Sequence, residues 1–126
     1  MIYGIGTDIV EYARIERMLA RYGDRFAERV LSRQELPDYQ ASSDKARLLA
    51  KRFAAKEAFA KAVGSGMRHP VTLRRISVIH DGLGKPMLQF DEALRTHLAQ
   101  LGISGQHLSI SDERGMAIAF VVLETI

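Results

Sequence analysis

Apolar residues recur along this chain with two different periods. From Ile2 to Val10, β-branched residues and two glycines alternate loosely with other positions, which predicts a strand with Asp8 near its end. From Glu11 to about Arg21 the spacing lengthens: Ile15, Met18 and Leu19 follow a helical period, while Arg14, Arg17 and Arg21 share another face. Ser32 to Tyr39 predicts a short helical turn, with Ser32 three residues ahead of Glu35 as in a capping box. Pro37 lies further inside that turn than the usual first-turn position.

The strongest helix is expected from about Asp44 to Val63, rich in alanine, capped by Ser42, Ser43 or Asp44 and stopped by Gly64. Arg74 to His80 reads as a strand, Asp81 to Pro86 as a glycine-rich turn, and Met87 to Phe90 as a short returning strand. Asp91 opens a helix through Leu94 and Leu98 that Gly102 ends. The C-terminal stretch predicts a hairpin, with arms His107–Ser111 and Met116–Leu123 and a turn of Asp112-Glu113-Arg114-Gly115. Helices and strands mix without regular βαβ alternation. The expected fold class is therefore α+β, as one domain over residues 1–126.

Composition narrows the picture in three ways. The chain of 126 residues has no cysteine, which excludes disulfides, thiolate metal sites and cysteine nucleophiles. No stretch reaches the roughly 18 apolar residues of a membrane span, and the N-terminus lacks a secretory pattern, so a cytoplasmic location without membrane contact is expected. A net charge of +3 points to anionic partners. Aromatics make up only 7% and no base-stacking motif is visible, so no nucleic-acid partner is expected.

Four sets of residues are candidates for chemistry, each with a plainer alternative. Glu57 and Lys61 lie four apart on one stripe with Phe53: either a solvated ion pair, or a partly buried carboxylate that needs a metal or lysine partner. Asp8 is ill suited to a strand interior, so it caps a turn or serves a cation such as Mg²⁺. Gly64-Ser65-Gly66 is a helix stop or a set of amides facing phosphate, although a helix C-terminus repels anions. His107, Ser109 and Ser111 alternate with Leu108 and Ile110, giving either a solvated face or hydrogen bonds to a phosphate or sugar.

Taken together, Gly4-Ile5-Gly6-Thr7-Asp8-Ile9-Val10-Glu11 with Arg14-Ile15-Glu16, the Arg52 to Ala62 block with its Gly64-Ser65-Gly66 tail, Gly84-Lys85-Pro86 and His107-Leu108-Ser109-Ile110-Ser111 resemble the holo-acyl-carrier-protein synthases. The likeness covers essentially the whole chain. It implies a long helix packed on an antiparallel sheet, the phosphopantetheinyl transferase fold of the compact type, and a homotrimer with active sites shared between subunits. The implied reaction moves a phosphopantetheine arm from coenzyme A to an acyl carrier protein for fatty-acid synthesis.

By the same resemblance, Asp8 and Glu57 match Mg²⁺ carboxylates contributed by neighbouring subunits, and Lys61 a lysine near the pyrophosphate. Arg52, Gly64, Ser65, Gly66, Pro86, His107 and Ser109 fall where the family holds the nucleotide. Arg14, Arg17, Arg21 and Arg25 then serve to dock an acidic carrier. The serine proton needs an acceptor, for which Glu57 and a metal-bound water are the two candidates. One departure stands out: the family often has histidine where this chain has Asp112, which is expected to point away or to cap the turn.

Overall fold

The computed structural model describes residues 1–126. Strand β1 (Ile2–Glu11) leads into helices α1 (Tyr12–Tyr22) and α2 (Asp24–Val30), then a 3₁₀ turn (Arg33–Glu35) and α3 (Leu36–Ala41). The long helix α4 (Lys45–Val63) follows, then a second 3₁₀ turn (Leu73–Arg75), strands β2 (Ile76–His80) and β3 (Pro86–Phe90), helix α5 (Glu92–Gln100), and strands β4 (Ile103–Glu113) and β5 (Met116–Thr125). β1, β5 and β4 form one antiparallel sheet with β5 in the middle; β2 and β3 form a separate antiparallel pair.

The expected long helix is present. The Asp44 carboxylate accepts from the Arg47 amide at 3.2 Å, and Gly64 ends the helix in the left-handed region at φ 93°. Twelve of its residues are buried, seven of them alanines, which lets neighbouring elements come close on several sides. The sheet takes the closest approach: a Cβ at Gly4 or Gly6 would overlap the carbonyl oxygen of Ala62 or Ala58. Phe59 stacks on Phe90 at 4.8 Å, tying the helix to the second strand pair.

Two boundaries differ from the sequence reading. Helix α2 was not anticipated: Gly23, at φ 61°, breaks the preceding helix and leaves only seven residues, too few to show a period. The final turn is tighter than expected, because Glu113 pairs with Met116 and only Arg114 and Gly115, both at positive φ, lie between the strands. Asp112 and Glu113 are therefore strand residues, and Asp112 does not cap the turn. No helix is long and apolar enough to cross a membrane.

The sheet has two unlike faces. Val10, Ala117, Ala119, Val121, Leu123 and Leu108 are buried against the helices. On the other side Ile5, Ile9, Ile118 and Phe120 are all exposed, in adjacent rows with Thr7, His107, Ser109 and Ser111. An outward face of four large apolar side chains is more than scattered exposure explains.

Candidate active site

The small residues of β1 and α4 place the chemistry. Because Gly4 and Gly6 let the strand lie directly on the helix backbone, Asp8 arrives beside the last turns of α4. Lys61 Nζ donates to Asp8 Oδ1 at 3.1 Å and to the Thr7 carbonyl at 2.9 Å. Lys61 thus pairs with Asp8 and not with Glu57, so the simple i,i+4 surface pair is not what forms.

Glu57 is half-buried beside this pair. Burial pushes its carboxyl above the ordinary range and the nearby Asp8 charge adds to this, while Lys61 and then Arg14 oppose it. The Asp8 charge thus acts on Glu57 within one chain. Two adjacent carboxylates, one raised by burial and by the other, suit a divalent cation of Mg²⁺ type, which uses one or two carboxylates and fills its shell with water and phosphate oxygens. No group of three or more His, Cys, Asp or Glu side chains forms a complete protein cage.

The glycine loop is spent mainly on ending the helix. The amides of Gly64 and Gly66 both donate to the Ala60 carbonyl, at 3.1 and 3.3 Å, and Ser65 Oγ donates to the Gly66 carbonyl. The two glycine amides are therefore not free to cradle an anion, in keeping with the negative end of the helix. Any contact from this loop falls to Ser65.

The remaining nominated residues gather elsewhere. Arg52 is buried at the other half of α4, salt-bridged to Asp38 at 3.2 Å and 3.6 Å from Glu35; its Nη1 has no hydrogen-bond partner. Arg52 opens onto a cleft of about 320 Å³ between the first half of α4, β2 and β4, lined also by Arg47, Lys51 and His80. Burial, then the charges of Arg52 and Lys51, hold the His80 imidazole below its ordinary pKa. Pro86 begins β3 opposite His80. His107 and Ser109 are exposed on the outward sheet face, His107 Nε2 lying 2.5 Å from Glu124 Oε1. Arg47 and Glu57 are ten residues apart on α4, a rise of about 15 Å, so one chain holds two separate clusters rather than a single pocket.

Sequence reasoning missed two features. The Asp112 carboxylate accepts from Tyr12 Oη at 3.0 Å and from Arg47 Nε at 2.5 Å; Tyr12's bond first, then Arg47's, hold its carboxyl below the usual range. The second is Lys56, fully buried, whose ammonium donates to Glu35, to the Val30 carbonyl at 2.7 Å and to the Leu73 carbonyl at 3.1 Å. The Ser32–Glu35 spacing signalled the capping bond, which forms at 2.9 Å. Nothing in that spacing signalled that the same carboxylate neutralises a lysine.

Arg14, Arg17, Arg21 and Arg25 are all exposed, the first three on α1 and Arg25 on α2. Arg14 lies 6.0 Å over the Phe53 ring and close enough to act on Glu57, so this basic face borders the carboxylate cluster.

A family profile described as the 4′-phosphopantetheinyl transferase superfamily matches residues 4–121. The chain belongs to that superfamily. Among its transferase relatives, the holo-[acyl-carrier-protein] synthase of Nitrosospira multiformis is 58% identical across 98% of this chain and 99% of its own. The solved holo-[acyl-carrier-protein] synthase of Neisseria meningitidis superimposes with a TM-score of 0.97, at 50% identity, covering 99% of this chain and all of the other. That of Bacillus anthracis, solved in complex with CoA (3′,5′-ADP), gives a TM-score of 0.82 at 41% identity over the full chain here and 99% of its own. The α+β fold, with the long helix on an antiparallel sheet, is thus the fold of this transferase family.

Proposed function

We propose that this protein transfers the 4′-phosphopantetheine group of coenzyme A to a serine of an apo-acyl carrier protein, in the cytoplasm and for fatty-acid synthesis. The observation that carries this reading is the meeting of Asp8, Glu57 and Lys61 where β1 crosses α4. That trio sits on a chain whose relatives bear the name holo-[acyl-carrier-protein] synthase along nearly their whole length.

The reaction joins the serine oxygen of the carrier to the phosphorus bearing the pantetheine arm and breaks that phosphorus's bond to the oxygen of the departing 3′,5′-ADP. The serine proton passes to Glu57 or to water. Asp8 and Glu57 would hold Mg²⁺, which would supply charge neutralisation at the pyrophosphate. Lys61, anchored through Asp8 and the Thr7 carbonyl, presents its ammonium toward charge that builds on the leaving group. Arg14, Arg17, Arg21 and Arg25 steer an acidic carrier helix toward Glu57. Catalysis here rests on positioning and electrostatics.

The second cluster belongs to the same site through a neighbouring copy. The 3′-phosphate and the pyrophosphate of coenzyme A hang on one ribose, joined through six covalent bonds, and so lie within roughly 9 Å of each other at about 1.5 Å per bond. On one chain Arg47 stands about 15 Å along α4 from Glu57, which exceeds that span. The exposed row of Ile5, Ile9, Ile118 and Phe120 offers a face on which copies can associate, with His107 and Ser109 beside it. We take the assembly as a homotrimer whose sites lie between subunits. Intact mass of an apo-acyl carrier protein incubated with coenzyme A and Mg²⁺ tests the activity. Gain of one phosphopantetheine, abolished by EDTA and by Glu57→Ala, is expected; no gain with several carriers refutes it.

A further inference from the structure

The cleft between α4, β2 and β4 carries an excess of positive charge. Arg47, Lys51 and Arg52 line it with His80; Asp44, its one acidic lining residue, is engaged with the Arg47 amide. Arg52 Nη1 is the only buried side-chain polar atom in the protein without a hydrogen-bond partner, on a side chain 7% exposed. That nitrogen faces the Glu35 carboxylate at 3.6 Å, so the positive charge open to an anion comes from Arg47 and Lys51. Ser42 and Ser43 at the rim add hydroxyl donors.

Arg47 stands at this cleft half-exposed, yet it is not free to swing. Asp112 takes hydrogen bonds from its Nε and from Tyr12, and its Nη2 lies equally close to the same carboxylate oxygen. Tyr12 begins α1, Arg47 lies on α4 and Asp112 is the last residue but one of β4, so three elements fix one guanidinium. Of its five N–H donors this leaves about three for a ligand. A long flexible cation held in place loses less entropy on binding than one that must be ordered.

We propose that Asp112 is a positioning residue, fixed by Tyr12, which holds Arg47 at the cleft as the contact that selects the 3′-phosphate of coenzyme A. The inference rests on the transferase reading above and deepens it. It makes a prediction opposite in sign to simple electrostatics. If Asp112 acted only as a negative charge near a polyanion, removing that charge would strengthen nucleotide binding. As a positioning residue, its removal releases Arg47 and weakens binding of the 3′-phosphate alone.

The test compares wild type, Arg47→Gln, Asp112→Asn and Tyr12→Phe in two assays. The first is the ratio of kcat/KM for coenzyme A to that for dephospho-coenzyme A, with apo-acyl carrier protein as acceptor. The second is calorimetric titration with 3′,5′-ADP and with 5′-AMP. Loss of one charge-assisted contact corresponds to about tenfold, so Arg47→Gln should cut the preference for the 3′-phosphate about tenfold in both assays. Asp112→Asn should follow in the same direction by about three- to tenfold, and Tyr12→Phe by less. Equal losses for both members of each pair would mark Asp112 as merely structural and overturn the proposal. Tighter binding of 3′,5′-ADP by Asp112→Asn would overturn it as well, leaving the transferase reading intact. If wild type binds neither nucleotide and transfers no arm, both fall together.

Discussion

Replacing Lys56 by methionine shortens the side chain by one atom and removes one buried charge. In the folded protein the ammonium has three hydrogens and three acceptors: Glu35 and the carbonyls of Val30 and Leu73. The variant leaves two carbonyls unpaired and takes the strongest partner from Glu35, which is 1% exposed. Breaking a buried pair by removing one partner costs about 3–5 kcal/mol. Glu35 keeps the amides of Ser32 at 2.9 Å and Val78 at 3.1 Å, with Arg52 at 3.6 Å, so the lower end applies, about 3 kcal/mol. For a chain of this size that lowers Tm by roughly 11 °C. Urea unfolding and calorimetry measure it, with Lys56→Met/Glu35→Gln alongside. The double variant should recover part of the loss, since its neutral amide no longer needs a cation. A loss under about 1 kcal/mol, or strict additivity of the two changes, would refute the claim that the pair acts as a buried unit.

Four further outcomes follow from the geometry. Burial lowers the Lys56 pKa to about 8 against an ordinary 10.5, so between those values the unfolded chain binds more protons than the folded one. This group's contribution to stability should therefore rise with pH across about 8 to 10.5, seen as a slope in denaturant midpoints that Lys56→Met lacks. Glu57→Gln should lose Mg²⁺-dependent transfer while keeping its thermal midpoint; retention of both rate and Mg²⁺ affinity counts against the metal role. Arg14→Glu should raise the carrier KM and its salt sensitivity while leaving 3′,5′-ADP binding alone, and an unchanged KM would remove Arg14 from the docking face. Gly6→Ala should lose about 1–3 kcal/mol, because its methyl would overlap the Ala58 carbonyl, a backbone atom that cannot turn aside; an unchanged unfolding midpoint would contradict that close approach.

What the sequence made legible was governed by local rules. The bounds of α4 followed from Asp44 and Gly64, and the hairpin from its alternation. The outward placement of His107, Ser109 and Ser111 followed from period two alone. The resemblance pointed to Asp8, Glu57 and Lys61, but no spacing revealed that β1 brings Asp8 to α4, since that contact depends on two missing side chains in the strand. Lys56 read as one more helix cation because burial is a property of neighbours, here Glu35, twenty-one residues upstream. Asp112 reads as a turn residue because turn-forming residues run from Asp112 to Gly115, whereas the ladder continues two pairs beyond Ser111. Its bonds to Tyr12 and Arg47 span 100 and 65 residues.

The separation of the two clusters along α4 has a genetic consequence. In the homotrimer proposed above, a copy defective at Glu57 would still offer an intact Arg47–Arg52 cleft to its neighbour, and a copy defective in that cleft would still offer intact carboxylates. Two alleles, each inactive alone, should therefore complement in a cell that makes both, because mixed assemblies contain some junctions where both halves are sound. Two alleles defective in the same half should not.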